Sequence, residues 1–193
     1  MSIIKIAIFA SGSGTNAENI VNYFHDNHSC EISVIMCNKK DAYVLERAKL
    51  LGIDSFVFTR TQLEESTFVD EMLLLYNIDF IILAGFLLKV PERILNNYPS
   101  RIINIHPALL PLYGGKGMHG MHVHEAVIAA GEKESGITIH VVDADYDKGT
   151  TLFQARCSIE KEDTPETLAH KIHVLEQAWF PRVIENYILK TRS

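Results

Sequence analysis

Two short segments of this chain carry residues whose types and spacing suit stabilising an oxyanion and shuttling a proton. The first is Asn104-Ile105-His106-Pro107, which closes the apolar run that begins at Arg101. That run reads as a buried strand, and on a strand residues two apart project from the same face. Pro107 cannot continue a central strand, so Asn104 and His106 are expected at its mouth. An amide donor beside an imidazole there could stabilise an oxyanion and move a proton. The second segment is Asp143-Ala144-Asp145-Tyr146-Asp147-Lys148-Gly149. One of its carboxylates could reach His106, favour the imidazolium and raise its pKa. The alternatives are a polar strand end that caps a loop and an acidic hairpin turn.

A third segment, Ser11-Gly12-Ser13-Gly14-Thr15-Asn16, lies between an apolar strand and a helix. Glycines permit a sharp turn and close approach, and the helix N-terminus offers unpaired N–H groups to an anion such as phosphate. A purely structural tight turn is the competing reading. The spacing Gly12-x-Gly14-x-x-Ala17 also fits a loose dinucleotide fingerprint. However, strand two ends in Cys37-Asn38-Lys39-Lys40, without the acid that would hold a ribose. A single phosphate on a small substrate fits better.

Other chemistries find less support. The acidic segment imitates a calcium loop but has Lys148 at its sixth position and Gln154 at its twelfth. His119, His122 and His124 bring no cysteine or glutamate in a zinc-type pattern, and they read as a solvated helix start. No metal is expected. His170, His173 and Glu176 recur at threes on the last helix, a spacing that an exposed face would also show. No Gly-x-Ser-x-Gly elbow supports a serine hydrolase.

The elements that must position these residues alternate along the chain. Strands are expected at 3–10, 32–37, 55–58 and 80–84, with helices at 16–25, 42–51 and 62–76, and a short helix opening at Pro91. Strand–helix alternation with continuous apolar strands implies an open parallel sheet with crossover helices on both faces. A long loop from Pro107 to Met121, with four glycines and two prolines, follows the Asn104 strand. Loops of that length inside a domain are usually functional or disordered. A helix at 122–130 leads to strands at 137–142 and 152–159, which so short a link should pair antiparallel. The last helix runs from about Pro165 to Leu189, capped by Asp163 or Thr164 and kinked near Pro181. The fold class is therefore α/β, a Rossmann-like, mostly parallel sheet with an antiparallel pair near the C-terminus. One domain over 1–193 is the simplest organisation, with a phosphate-binding half to about residue 100 and a catalytic half after it.

Composition narrows the partners. The chain has 193 residues, 47% apolar and 22% charged, enough for a sizeable core. Its net charge of −6 argues against a nucleic-acid surface. Cys30, Cys37 and Cys157 share no metal or redox spacing and read as small buried side chains. The apolar start lacks a basic leader, and no run reaches membrane-spanning length. A cytoplasmic protein that binds small molecules, without nucleic acid or membrane, is expected.

These segments together resemble the phosphoribosylglycinamide formyltransferase family of folate-dependent enzymes. The resemblance covers nearly the whole chain. It rests on the Gly-Ser-Gly-Thr-Asn turn, Leu83-Ala84-Gly85-Phe86, Asn104 to Pro111, Asp147-Lys148-Gly149, and Leu175-Glu176-Gln177-Ala178-Trp179-Phe180-Pro181. It implies the formyltransferase fold and transfer of a formyl group from 10-formyltetrahydrofolate, as co-substrate, to the amine of phosphoribosylglycinamide. It also implies a monomer or homodimer. Asn104, His106 and Asp147 would be the catalytic trio, and Gly14, Thr15 and Asn16 would hold the ribonucleotide phosphate. Glu176 would hold the ribose. Leu87, Leu88, Lys89 and Val90, with Asn104, would line the folate site. Where the family often carries an arginine, this chain has Leu88; its loop around Gly114 to Gly120 is longer than in many relatives, and Lys148 replaces a small residue. A tRNA formyltransferase or a formyl-folate hydrolase would be expected to carry a further domain. A non-enzymatic phosphoribosyl-binding protein would need the turn but not His106 with Asp147.

Overall fold

Apolar, largely β-branched runs build the central strands of the sheet. In the computed structural model, which describes residues 3–27, 29–145 and 147–191, β1 (Ile4–Ala10) is buried on both faces apart from Lys5. It pairs in parallel with β2 (Cys30–Cys37) on one side and β4 (Phe80–Leu83) on the other, and β2 pairs in parallel with β3 (Ser55–Val57). β1 and β4, covered on both faces, need no polar alternation, which is why they read as continuous apolar runs. With β5 (Ile102–His106), β6 (Glu134–Val141) and β7 (Thr151–Ser158), the strand order is β3-β2-β1-β4-β5-β6-β7. The antiparallel pairing of β6 with β7 is as expected.

The chain forms two compact units, residues 1–103 and 104–193. In the first, Ile6, Ile8, Phe9, Ile35, Met36 and Ile81 are fully enclosed. The helices are α1 (Thr15–Asn27), α2 (Val44–Leu51), α3 (Arg60–Glu65), α4 (Phe68–Leu75) and α5 (Glu92–Asn97). Phe9, Phe58 and Phe86 form a ring cluster with centroids 5.3–6.0 Å apart. Phe86 thereby anchors the chain just before Leu87.

The single helix expected over 62–76 is two helices. Thr59 starts α3 with a capping box to Gln62. The chain then turns extended at Ser66, whose hydroxyl donates to the Gln62 carbonyl and accepts from the Phe68 amide. The carbonyls freed at the break are gathered by Arg93, which bonds those of Leu63, Glu64 and Ser66 and pairs with Asp70 at 2.8 Å. A distant guanidinium thus replaces the helical bonds that the local apolar spacing would have allowed.

In the second unit, α6 (Met121–Ala129) and α7 (Pro165–Thr191) accompany β6 and β7, and α7 packs on α6 and both strands. Leu168, Ile172, Phe180, Ile184 and Ile188 form its buried stripe at helical spacing. Of the two capping candidates, Thr164 accepts the Thr167 amide, while Asp163 accepts from the Glu160 amide and Lys171. Cys30 and Cys37 are buried as expected, whereas Cys157 is half-buried.

Candidate active site

Strand β5 ends at His106 and places Asn104 and His106 on one face. His106 is 3% exposed, and its Nε2–H donates to the Tyr113 carbonyl at 2.8 Å. A carbonyl only accepts, so this contact fixes a proton on Nε2. The other ring nitrogen, Nδ1, lies 3.7 Å from Asp147 Oδ2. Asp147 Oδ2 also accepts the Gly115 amide at 2.8 Å, and Asp147 Oδ1 stands 3.6 Å from His140 Nε2. The neighbouring Asp143 and Asp145 are exposed, and Asp143 accepts the Asp145 amide instead. Of the three carboxylates, Asp147 is the one turned toward His106.

Local backbone chemistry makes that turn possible. Asp147 sits at φ +55°, a left-handed conformation that Asp and Asn adopt more readily than most residues. Two residues on, a Cβ at Gly149 would fall 1.7 Å from the Val141 carbonyl, so only glycine lets the segment close against β6. The loop from Pro107 to Gly120 is likewise held in place. Thr138 Oγ1, fully buried on β6, donates to the Ala108 carbonyl at 2.7 Å and accepts the Leu110 amide at 2.9 Å. Gln154 adds bonds to Thr138 and to the Leu110 carbonyl. This clasp fixes the segment leading to the Tyr113 carbonyl and Gly115 amide.

The electrostatics correct one expectation. Burial lowers the His106 pKa from its ordinary 6.5. The Asp147 charge and the bond to Tyr113 push it upward, His140 pushes it down, and burial prevails. The carboxylate acts in the expected direction, but removing the imidazolium from water costs more than one partner at 3.7 Å returns. For Asp147, burial raises the carboxyl, and the bonds from His140 and Gly115 with the two histidine charges outweigh it, leaving a net lowering.

The remaining candidates lie where the sequence places them. Gly14 is buried at φ +78°, and a Cβ there would meet Val44 at 2.4 Å. Thr15 opens the 13-residue α1, so Gly14, Thr15 and Asn16 form its N-terminal edge. Val44 N–H donates to the Gly12 carbonyl, and Arg47 bonds the Ser13 carbonyl and pairs with Glu18. In the Leu87–Val90 segment, the Leu87 amide donates to Ser11 Oγ at 3.0 Å, which in turn donates to Asn38. Leu87 and Lys89 are exposed and Val90 is buried. Glu176, on α7, lies 3.4 Å from His173 Nδ1 with its side chain 15% exposed. The pair is therefore half-buried, not the exposed face that spacing alone allowed.

The solvated reading of the three loop histidines holds for His119 and His122 and fails for His124. His124 is 6% exposed, and its Nδ1 has no partner among the described residues. Burial lowers its pKa, with Glu176 opposing and the His106 charge adding to the shift. A histidine lowered below 6.5 binds fewer protons folded than unfolded, so its stabilisation is complete above that pH and is lost as pH falls. His173, raised by its bond to Glu176, works in the opposite sense. His124→Leu should therefore flatten the drop in unfolding free energy between about pH 7 and pH 5, by up to ~1.4 kcal/mol per pH unit. An unchanged slope in thermal melts would contradict this placement.

Sequence reasoning missed His140, Thr138 and the Tyr113 carbonyl. His140 and Thr138 are polar residues inside an apolar strand at alternate positions, and that buried-face alternation was the available signal. Among the described residues no group of three or more His, Cys, Asp or Glu could hold a metal ion. No described helix is long and apolar enough to cross a membrane.

Comparison with known proteins meets this geometry. Residues 4–184 match the formyl transferase family. The phosphoribosylglycinamide formyltransferase of Bacillus subtilis is 36% identical over 189 residues, covering 95% of this chain and 94% of the relative. The chloroplastic enzyme of that name from Arabidopsis thaliana is 38% identical over 93% of this chain, which spans 64% of that longer relative. The crystal structure of phosphoribosylglycinamide formyltransferase from Bacillus halodurans superposes with a TM-score of 0.87 at 37% identity, over 97% of this chain and 96% of that one. A match over nearly the whole length, with Asn104, His106 and Asp147 gathered on the ends of its strands and loops, makes this chain a member of the formyl transferase family.

Proposed function

We propose that the chain is a cytoplasmic enzyme, a single catalytic domain, that transfers the formyl group of 10-formyltetrahydrofolate to the amine of phosphoribosylglycinamide in purine biosynthesis. The observation that carries this reading is the grouping of buried His106 with half-buried Asn104 and Asp147 in a member of the formyl transferase family. The substrate amine attacks the formyl carbon, a C–N bond forms, and the carbonyl π pair moves to oxygen. The tetrahedral intermediate collapses by re-forming C=O and breaking the bond to folate N10, which takes a proton as the amine loses one.

Asn104 supplies a neutral N–H to the developing oxyanion, and His106 supplies positive charge at the moment it is needed. A neutral imidazole in the resting site gains a proton more readily once an oxyanion lies nearby, and Asp147 faces the nitrogen that would take it. Because the stabilised charge exists only in the transition state, these groups act on kcat. Gly14, Thr15 and Asn16 hold the substrate phosphate at the α1 N-terminus, and Glu176 holds ribose hydroxyls. Leu87, Leu88, Lys89 and Val90, with Asn104, contact the folate.

The reading is tested by mixing the protein with both substrates and following tetrahydrofolate together with the fate of the formyl group. Formyl glycinamide ribonucleotide should form in step with tetrahydrofolate. Comparable formate release without the ribonucleotide would point to a hydrolase instead.

A further inference from the structure

Ser11 joins two segments that serve different substrates in the reading above. It opens the turn that leads to Gly14, Thr15 and Asn16, and it also meets the chain that enters Leu87–Val90. It follows β1 directly and is 2% exposed. There the β1–β4 ladder gives way in steps. The Ala84 N–H donates to the Phe9 carbonyl at 2.9 Å, and the Ser11 N–H donates to the Gly85 carbonyl at 3.0 Å. Gly85, at φ +71°, then turns the chain off the strand. Past that turn the Leu87 N–H donates to Ser11 Oγ, a side-chain acceptor, at 3.0 Å. The hydroxyl's one hydrogen goes to Asn38 Oδ1 at 2.6 Å, which leaves its lone pairs to accept from Leu87. One buried hydroxyl thus ties the chain leaving β2 and the chain leaving β4 to the turn that leaves β1.

The hold is directional. The Phe86 ring packs against Phe9 and Phe58 and fixes where the segment begins, but a ring contact leaves the backbone beyond it free to pivot. The bond at the Leu87 amide removes that freedom, although the Leu87 side chain is itself exposed. We propose that Ser11 is a positioning residue for formyl folate: its hydroxyl fixes the Leu87 backbone and so pre-sets the segment Leu87–Val90 that lines the folate site. The proposal rests on the functional reading above for that segment. A pre-set segment spends little affinity on ordering, so Ser11 acts on folate binding rather than on turnover at saturation. The phosphate turn keeps its own supports, the Val44 N–H on the Gly12 carbonyl and Arg47 on the Ser13 carbonyl.

Its test combines kinetics with amide NMR on the full chain. Ser11→Ala removes the acceptor and keeps the backbone bonds. It should raise KM for 10-formyltetrahydrofolate roughly three- to tenfold, the range for one lost hydrogen bond. In the same variant kcat and the ribonucleotide KM should change by less than about twofold, and hydrogen exchange at the Leu87 amide should quicken. Asn38→Ala leaves Ser11 Oγ in place as an acceptor, so it should raise the folate KM by less than about twofold. Equal losses in the two variants, or a loss of kcat in place of the folate KM effect, would mark a merely structural role and overturn the proposal. Tetrahydrofolate added to the wild type should shift the amide signals of Leu88, Lys89 and Val90. If no shifts appear, the folate assignment of the segment falls, and the proposal with it. If they appear and Ser11→Ala keeps the wild-type folate KM, the proposal alone is overturned.

Discussion

Asp147→Asn should lower kcat roughly 10²–10³-fold while leaving KM for both substrates nearly unchanged, the size expected when transition-state charge stabilisation is removed. The substitution is close to isosteric. Asparagine tolerates the left-handed φ of +55° at this position, and its amide oxygen can still accept the Gly115 amide at Oδ2. A large loss would therefore be electrostatic. Without the carboxylate, burial acts on His106 unopposed by the charge that now raises its pKa. Imidazolium becomes harder to form at the moment the oxyanion develops. Asp143→Asn and Asp145→Asn, on the exposed part of the same segment, should change kcat little. Steady-state kinetics on the three variants decides between them, and near-normal turnover in Asp147→Asn would refute the pairing with His106. Combining the His106 and Asp147 substitutions should cost far less than the product of the single effects, since both serve one function.

The second large effect concerns the substrate's phosphate. The dephosphorylated substrate should bind on the order of 10²–10⁴-fold more weakly, because two charge-assisted hydrogen bonds at ~1.5–3 kcal/mol each would be lost. The turn before α1 is built for close approach: Gly14 is buried against Val44, and Val44 and Arg47 hold the backbone of Gly12 and Ser13. Such a turn needs no rearrangement to present amides to an anion, so little affinity would be spent on ordering it. Titration calorimetry with the two forms of the substrate reads the difference directly. Equal affinity would remove the phosphate assignment from Gly14, Thr15 and Asn16.

How far the sequence could be read depended on whether the deciding interaction was local. The central strands β1 and β4 were legible because each buried run is continuous in sequence. Asn104 and His106 were legible because strand periodicity and Pro107 are both local facts. The division of 62–76 into α3 and α4 was not, because its stabilising partner, Arg93, lies 27 to 30 residues away. The capping box at Thr59 and Gln62 was a local sign of an earlier helix start. His140 was passed over for a similar reason: its bond to Asn104 spans 36 residues. His124 looked solvated beside two other histidines, and only packing shows that it is buried while His122 is exposed. Residue types alone indicated that one carboxylate of the 143–147 segment faces His106, and the family resemblance singled out Asp147. The degree of burial that reverses the His106 pKa shift could not be read in this way, because burial is a property of the whole fold.

Catalysis by this site turns on His106 being a buried, neutral imidazole whose capacity to take a proton is sustained by Asp147. A side-chain NMR titration of His106 in the wild-type protein and in Asp147→Asn tests this most directly. The His106 pKa should lie below 6.5 in the wild type and lower still in the variant, with Nε2 retaining its proton throughout. An unchanged or higher His106 pKa in Asp147→Asn would contradict this role of Asp147.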